Sequence, residues 1–477
     1  MVLELVGSRI MAPFVGTSIT VWTSLIGIIL ASISAGYYWG GKWADREALP
    51  KNLSTVILAA GILVAVAALV KTPVLTFITA LITDIRLSAS LGTALLFGPA
   101  SLALGMVSPY AAKLKISALE KAGTTVGTLY ALSTIGSIAG TFLAGFWLMA
   151  YLGSTKIMYV LALVLVIVSL FVRGLNWSRK HALVAAFIIL GLGFVHFVEA
   201  RAEAIGLIEI DSAYQHIQIF NKINAADKRM VRVLKTDSFG SQSAQYLDSD
   251  ELVFEYTKFY NLVSYIQPNL QNALIIGGGA YSYPKAFLKR FPKATIDVVE
   301  MDPALTELSK KYFNLTEDPR LEIFHQDGRT YINQMDKEYD AVFMDAFNSL
   351  MPPFQLSTKE VAQKLFDQLS PNGVVLMNLI SAINGQKGRF LQAEYATYKS
   401  IFPHVEVFAV DNFKNPTDID NVLLVAYKNE KTVDWSKVPE EFKKYTAKLW
   451  TGPIASMPIL TDEFAPVESY LTGLYNR

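Results

Sequence analysis

Apolar and polar positions follow two different rhythms along this chain, and the change comes near residue 201. Before it, long runs without a charged side chain recur. A helix needs about 20 mostly apolar residues to cross the hydrocarbon core of a bilayer. Six runs of suitable character predict six spanning helices, at about Ala12–Tyr38, Leu53–Val70, Leu87–Val107, Thr124–Ala150, Ile157–Phe171 and Ala182–Phe197. The first five contain no Asp, Glu, Lys or Arg, and the sixth contains only His196, near its end. Trp22, Tyr37, Tyr38 and Trp39 stand near run ends, as an interfacial aromatic belt would. The ten residues Val74–Thr83 are too few to cross, and read as an interfacial piece or an extension of a neighbouring helix. Gly136 and Gly140, with Ser133 and Gly145 nearby, suggest close helix–helix packing in the fourth run.

After residue 201 the rhythm shortens. "HIQIF" and "MVRVLKT" alternate like strands on either side of the turn "NAAD", which predicts a small β-rich unit over Leu207–Leu247. Asp250–Ile266 has helical spacing, with Asp250 as its expected cap. Beyond it, strands are predicted at Asn272–Ile276, Thr295–Glu300, Leu321–His325, Ala341–Asp345, Gly373–Asn378, Val405–Val410 and Asn421–Ala426. Helices are predicted between them at Tyr283–Arg290, Ala304–Tyr312, Thr358–Leu369 and Gly388–Ile401. Such alternation implies a mainly parallel, doubly wound Rossmann-like sheet. The expected organisation is a transmembrane domain over 1–201, a β-rich subdomain over 202–250, a Rossmann-like domain over 251–428 and a C-terminal extension packing on it over 429–477.

Charge adds an orientation. Loops one, three and five carry Lys42, Arg46, Lys51, Lys113, Lys115, Lys121, Arg173, Arg179 and Lys180, against Arg9, Lys71, Arg86, Lys156 and Arg201 on the other side. Nine against five places the odd loops in the cytoplasm, and an even number of spans then puts both termini outside it. "GGKWADR", Gly40–Arg46, is similar to a cytoplasmic loop motif of major facilitator transporters and favours the same orientation. The spans show no acidic residue of the kind a cation path keeps, which favours an anchor over a transporter. The chain opens with "MVLELVGSRI", without the basic start of a secretory signal. The expected location is a plasma or inner membrane, with the soluble domain on the extracytoplasmic side.

Composition narrows the chemistry. The absence of cysteine excludes disulfides, thiolate metal sites and cysteine nucleophiles, and the five histidines show no metal-ligand spacing on one helix. No metal site is therefore expected, and a net charge of +1 gives no reason to expect nucleic acid. In a doubly wound sheet, ligands bind beyond the carboxyl ends of the strands. Gly277, Gly278 and Gly279 follow the first strand, where a ligand can approach the backbone. Glu300 ends the second, 21 residues after Gly279, where an acid accepts hydrogen bonds from ribose hydroxyls. Asp327 and Gly328 follow the third, and Asp345 ends the fourth. Four such features on four successive strand ends point to a ligand site.

With these residues in place, the region Asp211–Asn412 resembles the spermidine synthases, the polyamine aminopropyltransferases. The correspondences are Tyr214-Gln215, Gly277–Gly279, Glu300-Met301-Asp302, Asp327-Gly328 and Asp345–Ser349. The whole chain looks like the membrane-fused members of that group, through "SRIMAPFVGTSITVW", "GTLYALSTIGSIAGTFLAGFWL" and "LTDEFAPVESYL". The resemblance implies S-adenosylmethionine or its decarboxylated form as co-substrate. It gives Glu300 to the ribose, Asp327 and Gly328 to the adenine end, Gln215 and Gln242 to the sulfonium tail or acceptor, and Asp345 to proton abstraction. Ala280, Asn348 and Lys258 depart from the pattern, where the family has acids facing cationic groups.

Two functions follow as expectations. One is a membrane-anchored domain that binds an S-adenosyl-type nucleoside and acts as a divergent aminopropyl or methyl transferase, with Asp345 as general base. The other is a degenerate scaffold or partner-binding subunit facing outside the cytoplasm. The expected partners are the lipid bilayer, a small amine acceptor, and a second copy or a membrane-complex subunit.

Overall fold

The structure, a computed structural model, describes residues 1–116, 122–236, 240–346, 352–410, 415–430 and 433–475. The chain separates into two compact units, the first chiefly Met1–Gln218 and the second Ile219–Lys235 with Phe239–Arg477.

The first unit is helical: α1 (Val2–Val15), α2 (Ile19–Arg46), α3 (Pro50–Leu81), α4 (Ile85–Leu96), α5 (Gly98–Lys115), α6 (Ala122–Leu143), α7 (Met149–Tyr151), α8 (Ser154–Val172) and α9 (Arg179–Ala204). A π-helical turn, Ala144–Leu148, joins α6 to α7. Five of these helices are long and apolar enough to cross a membrane, and the bent pair α4–α5 would make a sixth. The first predicted run is split, because Gly16 takes φ +77° and Ser18 caps α2 by accepting from the Val21 amide. The third run is broken at Phe97 with a 53° bend. Pro99, in the first turn of α5, has no N–H for the preceding turn and its ring clashes with the carbonyl four residues back. Val74–Thr83 extends α3 as far as Leu81, so Lys71 is a helical residue rather than a loop charge. Lys121 lies outside the described residues.

Close packing falls on a different glycine pair from the predicted one. A Cβ on Gly36 of α2 would come within 2.2 Å of the Leu102 carbonyl, and one on Gly105 of α5 within 2.5 Å of the Ile33 carbonyl. These two backbones therefore touch. At Gly136 a Cβ would meet nothing, and at Gly140 only Val2.

Polar contacts show which helix ends lie together. Lys113 near the end of α5 pairs with Asp45 near the end of α2 at 2.9 Å, and the Tyr110 hydroxyl donates to the Glu47 carbonyl. At the opposite end, Ser24 of α2 meets Ser90 of α4 at 3.1 Å. The pair α4–α5 thus runs the length of α2 despite its bend. Ser54, Ser169 and His181 join the start of α3, the end of α8 and the start of α9, at 2.9 and 3.1 Å.

A small sheet follows, in the order β1 (Ile208–Asp211), β2 (His216–Ile223), β3 (Met230–Lys235), β4 (Ser243–Tyr246). The helix expected from Asp250 begins later, as α10 (Glu255–Phe259), a short turn and α11 (Val263–Ile266). Leu252 bridges to Gln245, which keeps the preceding residues extended, and Asp250 pairs with Lys289 at 2.5 Å instead of capping.

The main sheet contains β5 (Asn272–Ile276), β6 (Thr295–Val299), β7 (Leu321–Phe324), β8 (Tyr339–Met344), β9 (Leu369–Ser381), β10 (His404–Ala409) and β11 (Asp420–Tyr427). Its order is β10-β11-β9-β8-β5-β6-β7. The pairs from β9 to β7 are parallel, while β11 runs antiparallel to both its neighbours. The helices are α12 (Ser282–Arg290), α13 (Pro303–Tyr312), α14 (Gly328–Gln334), α15 (Lys359–Gln368), α16 (Arg389–Lys399), α17 (Glu440–Thr446) and α18 (Val467–Tyr475). Successive strand residues face opposite sides, so Leu274 and Ile276 feed one core while Ala273 and Ile275 feed the other. Chain after β11 completes both: Leu460, Val467 and Leu471 join the first core, and Val438 and Phe442 the second. Strand order reverses at β5, between β6 and β8, and such a switch point opens a crevice at the carboxyl ends.

Candidate active site

Gly277 leaves the end of β5 with φ +102°, and a Cβ there would sit 2.3 Å from the Asp345 carbonyl oxygen. No other residue type fits that approach. Gly279 has φ +51°, and its Cβ would meet the Ser243 hydroxyl at 2.5 Å. The Ser243 hydroxyl accepts from the Ala280 amide at 3.1 Å, so β4 of the small sheet braces the turn.

Glu300 sits beside this turn and is buried. Its Oε2 accepts from the amides of Gly278 at 2.9 Å and Gly279 at 3.2 Å, and its Oε1 accepts from the Asp302 amide at 2.9 Å. Burial raises its pKa, and those three amides pull the other way. The carboxylate predicted for a ribose thus also fixes the glycine turn.

Asp345, at the end of β8, is the centre of a second network. Its Oδ2 accepts from the Tyr256 hydroxyl and its Oδ1 from Asn378 Nδ2, both at 3.2 Å. Asn421 Nδ2 in turn donates to Asn378 Oδ1 at 2.9 Å, which fixes the orientation of that amide. Burial pushes the Asp345 carboxyl up to about 6, against the opposing pull of Asn378, Tyr256 and Tyr260. Burial and the neighbouring Asp345 charge raise the Tyr256 phenol well above its usual value, so it remains a donor. A carboxylate with a pKa near neutrality is suited to taking a proton.

Tyr256, Phe254, Ser243, Gly277, Gly278 and Asp345 help to line a small cleft open to solvent. The rings of Phe254 and Tyr256 are stacked at 6.0 Å, and Tyr256 meets Tyr260 edge-on at 5.8 Å. The structure therefore brings Gly277, Gly278, Gly279, Glu300 and Asp345 to one crevice. Asp327 caps α14, accepting from the Thr330 amide at 2.9 Å, while a Cβ on Gly328 would come within 2.7 Å of Ile276. Gln242 lies in the β3–β4 connection, where its amide donates to the Leu234 carbonyl. Gln215 belongs to the first unit, in the turn before β2, and its carbonyl accepts from the Ser212 amide. Lys258 is paired with Glu255 at 2.5 Å and is not a lone cation. Phe347, Asn348 and Ser349 lie outside the described residues.

Sequence reasoning missed Asn378, Asn421 and Ser243. A signal did exist for the first, which interrupts the apolar run "VVLMNLI". Among the described residues no group of three metal-ligating side chains occurs.

Residues 253–427 match the family described as Spermine/spermidine synthase domain. The chain is 27% identical to a polyamine aminopropyltransferase of Vibrio vulnificus over 223 residues, which are 46% of this chain and 70% of that one. It is 26% identical to a probable polyamine aminopropyl transferase of Bifidobacterium longum over 282 residues, 54% of this chain and 62% of that one. Among solved structures, a probable spermidine synthase from Corynebacterium glutamicum overlaps 52% of this chain and 88% of its own, at 21% identity and a TM-score of 0.43. Residues 253–427 are therefore similar to a spermine/spermidine synthase domain and have a Rossmann-like α/β fold, and the helical region ahead of them is consistent with a fused domain.

Proposed function

We propose that the second unit transfers an alkyl group from an S-adenosyl-type sulfonium nucleoside to an amine, with aminopropyl as the group the family suggests, and that the first unit anchors it in a lipid bilayer. The observation that carries the reading is Asp345: half-buried, raised to about 6, and held by Tyr256 and Asn378 beside the Gly277–Gly279 turn. The amine nitrogen attacks the methylene carbon next to the sulfonium. The carbon–sulfur bond breaks with its electron pair going to sulfur, and the nitrogen's proton passes to Asp345. A thioether nucleoside leaves. Glu300 and the glycine turn hold the nucleoside, Asp327 and Gly328 stand toward its base, and Gln242 belongs to its tail or the acceptor.

Anchoring is supported by the apolar surface of the first unit. Phe146, Trp147 and Tyr151 in and beside the π-helical turn are 69%, 63% and 78% exposed, which suits lipid rather than water. The test uses the full chain in lipid nanodiscs with decarboxylated S-adenosylmethionine and an amine mixture. Release of methylthioadenosine that Asp345→Asn abolishes is expected. With S-adenosylmethionine as donor, release of S-adenosylhomocysteine would instead assign methyl transfer. No thioether release from either donor, and no nucleoside binding by calorimetry, would overturn the reading.

A further inference from the structure

Resting on that transferase reading, we infer that Tyr281 is a positioning residue for the nucleoside. Anchored by Thr306 and His325, it fixes the Gly277–Gly279 turn against Glu300. Tyr281 precedes α12 with φ +56° and ψ +27°, a left-handed conformation that a bulky side chain seldom adopts. An outlier of this kind persists only where its surroundings over-determine it, and such positions gather at ligand sites. The surroundings here are specific. The Tyr281 amide donates to the Gly278 carbonyl at 2.8 Å and closes the turn. The ring folds back on Gly278, where a Cβ would stand 2.9 Å from its Cζ and 3.1 Å from its hydroxyl oxygen. The buried Tyr281 hydroxyl meets Thr306 Oγ1, on α13, at 2.6 Å, and Thr306 Oγ1 meets His325 Nε2 at 2.9 Å.

This hydrogen-bonded chain ties together the ends of three adjacent strands. Tyr281 follows β5, Thr306 follows β6, and His325 is the first residue after β7. Two further bonds join the same ends: Ser309 of α13 donates to the Gly279 carbonyl at 3.3 Å, and the Glu300 amide donates to the Phe324 carbonyl at 3.0 Å. A buried tyrosine needs a partner for its hydroxyl, but a core position supplies one without a left-handed backbone. What that backbone adds is the placement of the turn. The Gly278 and Gly279 amides occupy Glu300 Oε2, while Oε1 accepts only from the Asp302 amide and keeps a lone pair for a ribose hydroxyl. Cutting the chain loosens the turn, and the carboxylate then loses the amides that aim it.

The test is calorimetry with methylthioadenosine on the full chain in nanodiscs, together with initial rates using decarboxylated S-adenosylmethionine and the amine mixture. Tyr281→Phe removes the hydroxyl and keeps the ring, Thr306→Val cuts the chain, and Thr306→Ser preserves it. Each of the first two should weaken methylthioadenosine binding about fivefold, the worth of one hydrogen bond, and the double variant no further, because both break one chain. KM for the donor should rise in step with kcat unchanged, and Thr306→Ser should retain native affinity. A role in folding alone would lower the fraction of binding-competent protein at unchanged Kd, and that result overturns the inference. Unchanged Kd and KM in both variants overturns it as well, while leaving the nucleoside site standing. An unaltered protein that binds no methylthioadenosine overturns the inference and the transferase reading together, so the two failures are distinguishable.

Discussion

Tyr256→Phe isolates what sets the acidity of Asp345. The substitution removes one hydroxyl and leaves the ring, which packs against Phe254 and Tyr260, in place. In the native site the phenol and Asn378 each donate to the carboxylate at 3.2 Å, while burial raises its pKa to about 6. A hydrogen bond to a charged group contributes about 1.5–3 kcal/mol, and the length of this one puts it at the low end. About 1.4 kcal/mol corresponds to one pKa unit. Losing the phenol should therefore move Asp345 from about 6 to roughly 7. An ammonium is drawn to the ionised form only, so amine affinity should fall as the pH drops through the pKa. Putrescine affinity measured by calorimetry from pH 5 to pH 8 should be half lost near 6 in the native protein and near 7 in the variant. The stability linkage has the opposite sign. A carboxyl whose folded pKa lies above its unfolded value adds stability below the unfolded value, and that contribution is lost as pH rises through about 6. Equal midpoints in the two proteins, or a native midpoint near 4, would refute the assignment of Tyr256 as the donor that holds Asp345 ionised.

Glu300→Gln keeps shape but places an NH₂ group against amides that now donate to a carboxylate, so methylthioadenosine affinity should fall at least tenfold; calorimetry showing an unchanged Kd would separate Glu300 from the nucleoside. Gly277→Ala forces a Cβ into the Asp345 carbonyl at φ +102° and should lower unfolding stability by roughly 2 kcal/mol or more, measured by urea titration of the detergent-solubilised chain. Asn421→Leu leaves Asn378 free to rotate, and should raise the Asp345 midpoint by less than Tyr256→Phe does.

The sheet is legible because its strands are short apolar runs set between helices of clear period, and the predicted strand Asn272–Ile276 coincides with β5. Helix α14 was not anticipated, since seven residues carry too little periodicity to register. The breaks at Gly16 and Phe97 were hidden for a different reason: apolar composition continues through both, and only backbone conformation changes. The same contrast governs the site. Gly277, Glu300 and Asp345 announce themselves by standing at strand ends. The partners that set their chemistry, Asn378 and Asn421, lie within strands and acquire meaning only when β9 and β11 pair. A pKa of about 6 cannot be read from an aspartate's neighbours in sequence, because burial produces it.

If the first unit spans a bilayer as proposed, its orientation turns on the bent pair. If α4–α5 counts as one crossing, six crossings follow α1, and the second unit lies on the side opposite the α2–α3 turn. That turn carries Lys42, Arg46 and Lys51, and the end of α5, with Lys113 and Lys115, is tied to it through Asp45. The ends of α8 and α9 with Arg173, Arg179 and Lys180 join the same cluster through Ser54, Ser169 and His181. With Lys71 inside α3, the other end keeps Arg9, Arg86, Lys156 and Arg201. Positive charge gathers in the cytoplasm, so the second unit is expected outside it. A reporter that works only outside the cytoplasm, fused after Arg477, should be active, and a cytoplasm-only reporter at the same position silent. The reverse pattern would make α4–α5 a re-entrant element with five crossings, and would give Asp345 direct access to nucleosides made in the cytosol. An outward result would require the sulfonium donor to reach the cleft from outside, so nucleoside supply rather than chemistry would then limit the reaction.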